Sequence, residues 1–330
     1  MAFTTASADI TALYTGIELQ VRDAYMRYTQ QLRGFAVEIN STQVQEAYPI
    51  QAINATLQRW DGNRDATNYL QKVQYIVNGK PFQRKIAIAR QDVELKGRTL
   101  DMSFVAASMG KAAKAKYDEL IASLLQNGST TTCIDGKAFF ATDHPIVPWD
   151  VSYGTYTNLR TSSFTLNRSN FRTAYQYLRA LKGWDRQPFE VDQFYLVVPP
   201  QLEAIGQEIV VSSFAANDGT QAGTSVASNN VDMNKATLVV SQKLASEPAV
   251  WYLISTVKPP SGVPLSTAPW GQGGPLAGPF AMQRWRELEI VPRFDLTSEN
   301  VFERDEYEIG LSLGLEAGYL LPEHAVRCEG

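Results

Sequence analysis

The chain has 330 residues, 44% hydrophobic and 19% charged, enough apolar content for one large core or two smaller ones. Thirty Lys and Arg stand against 34 Asp and Glu, and the resulting net charge of −4 excludes the basic footprint of a tight nucleic-acid binder. Two cysteines without a Cys-x-x-Cys pair exclude a disulfide framework and a cysteine-based zinc site, and no apolar run reaches the ~20 residues of a membrane span. With no signal-peptide pattern at the amino terminus, the expectation is a soluble intracellular product with no membrane partner.

Ile10, Leu13, Ile17, Val21, Tyr25, Tyr28 and Leu32 recur at three-to-four spacing, the apolar face of a helix capped by Asp9 and stopped by Gly34. That face needs a partner, either the chain's own core or a neighbouring molecule. Residues 71–90 read as a β-hairpin turning at Asn78-Gly79, since both residues of such a turn must tolerate positive φ. The register then sets Tyr75 opposite Phe82, Val73 opposite Arg84, and Pro81 at a position without a ladder bond. A two-stranded ribbon roughly 30 Å long is marginal alone and should lie against something else.

Thr99 to Asn127 reads as one long helix, with Thr99 as cap, an alanine-rich middle for close packing, and a stripe through Tyr117, Leu120, Ile121, Leu124 and Leu125. At 1.5 Å per residue it would span roughly 42 Å, a spine rather than an ordinary domain helix. Beyond Gly128 comes the turn-rich stretch Cys133–Pro145. A second amphipathic helix covers Asn170–Lys182, a buried strand Phe194–Val198, and a helix Leu202–Val211. Residues 215–230 and 258–279 read as loops, Leu238–Val240 and Trp251–Ile254 as strands, and 287–321 as strand-like, with clean alternation from Glu306. No internal repeat is present, and the order of elements implies α+β.

Cys133, Asp135, Asp143 and His144 are the parts of a nucleophilic site, so a soluble cysteine hydrolase is the alternative reading from another class. Against it, Cys133 follows a helix end, where the dipole disfavours a thiolate, and the only other histidine, His324, lies near a flexible carboxy terminus. The preferred reading makes Asp135-Gly136 a turn, Phe139 and Phe140 its anchors, and His144-Pro145 a redirection of the chain. Gly110-Lys-Ala-Ala-Lys lacks the second glycine and the Ser/Thr of a phosphate loop, which leaves Lys111 and Lys114 as a solvated or inter-subunit basic stripe. No His/Asp/Glu cluster shows metal-ligand spacing. No catalytic, cofactor or metal site is expected, and no isopeptide cross-link through Lys85.

In order along the chain, Ser41-Thr-Gln-Val-Gln-Glu-Ala-Tyr-Pro49, Gln58-Arg-Trp-Asp-Gly62, Gly79–Arg90, Asp118–Gly128 leading into Cys133 and the Asp-Gly-Lys-Ala-Phe-Phe…His-Pro run, Val197–Pro200, Trp251–Leu253, Gln283-Arg284 and Val301-Phe302 resemble the Mu-like phage major head subunit family. Gln91–Gly97 is less acidic than the family pattern, and 258–279 looks like an expansion. The resemblance implies the Hong Kong 97-type capsid fold. It divides the chain into an amino-terminal arm (1–50), an extended-loop region (51–98, hairpin 71–90), a peripheral domain (99–184, spine helix 99–127), an axial domain (185–280) and carboxy-terminal strands returning to the peripheral domain (281–330). It further implies a major capsid protein forming hexamers and pentamers of an icosahedral tailed-phage head. Portal, scaffold and decoration proteins would be its partners, and packaged double-stranded DNA would be contacted weakly and without sequence specificity. The location would be the virion, and the host cytoplasm during assembly. A nanocompartment shell of the encapsulin type shares the fold and is the nearer alternative. Tyr25, Tyr28, Tyr75, Asn78, Gly79, Phe82 and Arg84 are the expected inter-subunit contacts. No large amino-terminal segment is expected to be removed during maturation.

Overall fold

The runs Phe194–Val198 and Trp251–Ile254 are apolar at every position, which a strand tolerates only if both of its faces are covered. The computed structural model describes residues 3–41, 44–51, 72–91, 102–146, 152, 154–161, 163–182, 191–215, 228–257, 278–295 and 297–330. Strands β8 (Gln193–Val198), β11 (Thr237–Val240), β12 (Val250–Thr256), β15 (Ala325–Glu329) and β7 (Leu159–Arg160) form a five-stranded mixed sheet in the order β11-β8-β12-β15-β7. Period-two alternation then divides the side chains. Phe194, Leu196, Val198, Trp251 and Leu253 join a core with Phe171, Leu178, Ile209 and Val210, while Tyr195, Val197, Tyr252 and Ile254 face the other way. The first core is covered by helix α3 (Arg168–Ala180), whose Asn167 cap accepts from the Asn170 backbone N–H, and by helix α4 (Glu203–Val210).

On the opposite face lies the spine helix α2 (Met102–Asn127), about 39 Å long at 1.5 Å per residue. It presents Tyr117, Ile121 and Leu125 to a core shared with Phe35, Phe139, Phe140, Phe280, Leu315 and Tyr319. The spine is backed by a second sheet, order β1-β13-β14-β4, from Ala36–Asn40, Phe280–Arg293, Glu306–Tyr319 and Lys80–Ala89. The arm helix α1 (Phe3–Arg27) lays Ile17 and Val21 on Ala106 and Met109 of the spine and on Ile88, Ile290, Ile309 and Leu311 of that sheet. At Ile17 and Val21 its apolar face is therefore covered within the subunit. The helix ends at Arg27, before the expected Leu32, because the Gln31 and Leu32 backbone N–H groups turn to donate to Asp118 of the spine, at 3.2 and 3.0 Å.

The hairpin over 71–90 does not form. Strand β3 (Lys72–Asn78) pairs antiparallel with β2 (Gln45–Gln51), setting Tyr75 against Tyr48, whereas β4 pairs over ten positions with β14, setting Phe82 against Leu313 and Arg84 against Leu311. Neither Asn78 nor Gly79 has positive φ, so the chain runs straight from one sheet into the next. Gly79 is needed for a different reason. A Cβ there would lie 2.5 Å from the Trp285 ring and 2.9 Å from the Val44 carbonyl oxygen, to which the Gly79 N–H donates. The ribbon is thus β2–β3, shifted toward the amino terminus.

The carboxy terminus also departs from expectation. It is strand β15, hydrogen-bonded between β12 and β7, and His324 just before it is 1% exposed. Polar Arg327 and Glu329 masked its strand character, but they are satisfied by each other and by Glu247. Short helix α5 (Glu299–Arg304) interrupts the stretch 287–321 expected to be strand. Thr99, Gly183, most of 258–279 and most of 215–230 lie outside the described residues.

Candidate functional site

The spine exit is built as a closed knot. Gly128 has no Cβ because one would strike the Phe140 ring at 2.5 Å, and Gly136 adopts φ +78° to turn the chain. Phe139 and Phe140 are buried, with Phe139 stacked on Tyr319 at 4.6 Å between ring centroids. Inside the turn, Asp135 accepts from the Cys133 Sγ at 3.0 Å, the Lys137 backbone N–H at 3.0 Å and His144 Nδ1 at 2.6 Å. His144 Nε2 lies 3.1 Å from the Phe139 carbonyl oxygen, so both ring nitrogens face oxygen atoms. Buried Asn158 donates to the Phe139 and Pro322 carbonyls and accepts from the Ala141 N–H, tying this connector to the carboxy-terminal segment.

This geometry opposes nucleophilic chemistry. The imidazole is spent on the carboxylate rather than on the thiol. Burial, reinforced by the hydrogen bond to Asp135, pushes the Cys133 thiol far above its ordinary value. Burial would raise Asp135 as well, but its hydrogen bonds from His144 and Cys133 outweigh that and hold it low. The donor atoms of Cys133, Asp135 and His144 do come within 4.8 Å of one another, although no metal-ligand spacing is read from the sequence there. They are already hydrogen-bonded among themselves. Next to them Glu323 is buried, and its carboxyl is pushed up to about 7, chiefly by burial.

The expected contact residues fall into two groups. Tyr25, Tyr28, Gly79 and Phe82 serve contacts within the subunit. The Tyr28 hydroxyl donates to Asp118 at 3.2 Å, Lys114 Nζ lies 4.5 Å from the Tyr25 ring centroid, and Lys116 Nζ lies 4.7 Å from that of Phe82. Lys114 is therefore half-buried on aromatic faces rather than part of a solvated stripe, and burial lowers its pKa. Gly110, which had suggested a phosphate loop, is where the arm crosses the spine: a Cβ there would collide with the Val21 carbonyl. Asn78 and Arg84 are exposed, and Tyr75 sits on the ribbon opposite Tyr48.

Two residues that hold this arrangement were not singled out from the sequence. Asp118 latches the arm to the spine, and it lay inside the motif quoted for its resemblance alone. Trp285 sits where the β13–β14 register shifts, between Gly79 and Gly314, either of which would strike its ring at 2.5 Å if it carried a Cβ. Lys85 pairs with Glu308 at 2.5 Å in a surface hollow whose other lining residues, among those described, include Gln83, Arg293 and Ser312 but no asparagine.

A spine helix between two mixed sheets, with an arm helix laid along it and a two-stranded ribbon at one sheet's edge, defines a Hong Kong 97-type shell-protein fold. The chain superposes on the procapsid of bacteriophage JBD30 with a TM-score of 0.53 at 20% identity, covering 98% of this chain and 75% of that one. It superposes on the capsid of the cyanophage P-SCSP1u with a TM-score of 0.54 at 11% identity, covering 92% and 89%. The family described as Mu-like prophage major head subunit gpT matches residues 10–163 and 149–244, and this chain belongs to it. The Mu-like prophage FluMu major head subunit of Haemophilus influenzae is 30% identical over 137 residues, covering 42% of this chain and 44% of that protein. The major capsid protein of Escherichia phage Mu is 29% identical over 141 residues, covering 43% and 46%. The matched stretches span less than half the length of these curated relatives.

Proposed function

We propose that this chain is the major capsid protein of a Mu-like tailed phage, assembling as hexamers and pentamers into an icosahedral head around double-stranded DNA. The β2–β3 ribbon carries the reading. Among the described residues its strands pair only with each other, as a two-stranded sheet, and such a ribbon is marginal without a surface to lie on. A neighbouring subunit supplies that surface, and contacts of this head-to-tail kind close into rings when their rotation permits. In this reading Tyr75, Asn78 and Arg84 meet the neighbour, while Tyr25, Tyr28, Gly79 and Phe82 hold the ribbon and arm in place. Portal, scaffold and decoration proteins would be further partners. The protein would reside in the virion, with assembly in the host cytoplasm. The chain would do no catalysis, consistent with the spent imidazole at His144.

Electron microscopy of the purified protein tests this: hollow closed particles are expected. Replacing residues 47–76 by a short Gly/Ser linker should leave a folded subunit that forms no particles, because Glu46 still pairs at the ribbon root with Val77, which is buried against Val37, Ile39 and Ala281 of the same subunit. Shells that still form without the ribbon would overturn the argument. Particles that enclose protein cargo and no nucleic acid in cells would favour a nanocompartment instead.

A further inference from the structure

The protein is acidic overall, yet one groove on its surface is not. It has a volume of about 560 Å3 and is lined by Arg172, Tyr175, Gln176, Arg179, Ala180 and Lys235, without a carboxylate among them. The nearest acid among the described residues, Asp232, is fully buried beneath it and accepts from Arg172 Nε and Lys235 Nζ, each at 2.7 Å. Arg168 approaches the same carboxylate at 3.8 Å, with Glu208 at 4.0 Å on its other side. Among the described residues four cations therefore face two acids, and the buried acid acts as an anchor that fixes the directions of Arg172 and Lys235. Asp232 is itself fixed, since its backbone N–H donates to the side-chain oxygen of buried Asn230. The Tyr175 ring forms the floor, with Arg179 and Lys235 at 5.8 and 5.6 Å from its centroid and Phe194 behind it at 4.6 Å.

We propose that this groove between α3 and Lys235 binds the phosphodiester backbone of double-stranded DNA, and that the α3 face therefore lines the interior of the shell. Cations held around an open groove suit a repeating phosphate chain of any sequence. The proposal rests on the shell reading above and gives that shell an inside and an outside.

Duplex binding to the full-length, unassembled chain tests the groove. Affinity for a 20-base-pair duplex of arbitrary sequence, followed from 50 to 200 mM salt, should fall with a log–log slope of roughly −2 to −3, about −0.9 per phosphate contacted. The Gln176→Glu, Arg179→Gln variant leaves every Asp232 ion pair intact. It should weaken binding at least tenfold and flatten the slope by about 1. A control with the same charge change elsewhere, Gln20→Glu with Lys111→Gln, should keep most of the affinity; equal loss in both would overturn the groove. Displacement of the duplex by polyglutamate at equal charge concentration would overturn DNA as the ligand in favour of an acidic protein segment.

Orientation is read from an Arg179→Cys variant, whose background is low because Cys133 and Cys328 are buried. In closed shells a small maleimide should label it and a large polymer-linked maleimide should not. Labelling by both, or by neither, would overturn the interior assignment. Particles with unchanged duplex affinity in the groove variant would defeat this inference alone. A wild-type chain that forms no particles would defeat the shell reading whatever the duplex does.

Discussion

Glu323 and His324 are neighbours, both buried, and burial pushes them in opposite directions: the carboxyl up from 4.5 to about 7, the imidazole down from 6.5 to about 4. Each displacement is worth roughly 3 kcal/mol at about 1.4 kcal/mol per pH unit. The folded state holds an extra proton on Glu323 between about pH 4.5 and 7, so that residue's contribution to stability falls as pH rises through the window. The unfolded state holds the extra proton on His324 between about pH 4 and 6.5, so that residue's contribution falls as pH drops. Over roughly pH 4.5–6.5 the two slopes oppose and nearly cancel. Glu323→Gln keeps the shape and removes one of them. The variant should match the wild type near pH 4.5, gain steadily, and exceed it by roughly 3 kcal/mol at pH 7 and above. Urea unfolding of the unassembled chain at half-unit steps from pH 4.5 to 8 measures the difference, in which all other titrating groups drop out. A difference that stays flat across pH 4.5–7 would refute the reasoning, because Glu323 would then be ionising as it does in the unfolded chain.

Other expectations concern packing and the arm. Gly314→Ala should cost about 1–3 kcal/mol by driving a methyl into Trp285, and pairing it with Trp285→Ala should be clearly less than additive in thermal unfolding. Asp118→Ala strips two backbone N–H groups and the Tyr28 hydroxyl of their acceptor, so about 1–3 kcal/mol should be lost and limited proteolysis should release residues 1–30, with Asp118→Asn intermediate. Cys133→Ser should be nearly neutral in unfolding midpoint and in shell yield, because a hydroxyl can donate to Asp135 as the thiol does. His144→Gln should cost about 1–3 kcal/mol, since one amide cannot keep both the Asp135 and the Phe139 hydrogen bonds of the buried ring. The cysteine variant is therefore the clean test of a non-catalytic role, and the histidine variant is a test of folding.

What the sequence disclosed and what it hid follow one physical rule. Periodicity reports which faces of an element are covered, and it located the spine, α3, α4, β8 and β12 because each packs by a face repeating every two or 3.6 residues. It does not report what covers them. The apolar face of α1 could belong equally to a neighbour or to the subunit, and the deciding feature is one glycine, Gly110, whose missing Cβ lets the arm descend onto its own spine. Asn78-Gly79 misled for the same reason. The dipeptide permits a tight turn, but permission is weaker than competition. β4 gains ten paired positions with β14 by running straight on, and the glycine is required by the Trp285 ring, more than two hundred residues away. Cys133, Asp135 and His144 invert the case: local spacing suggested chemistry, while the partners that close the knot, Asn158 and the Phe139 carbonyl, come from backbone and amide groups that carry no motif. A glycine that serves a distant ring and an asparagine that serves distant carbonyls look, in sequence, like turn residues. Only the contact order of the fold distinguishes them, and that is why the root of the ribbon had to be seen to be placed.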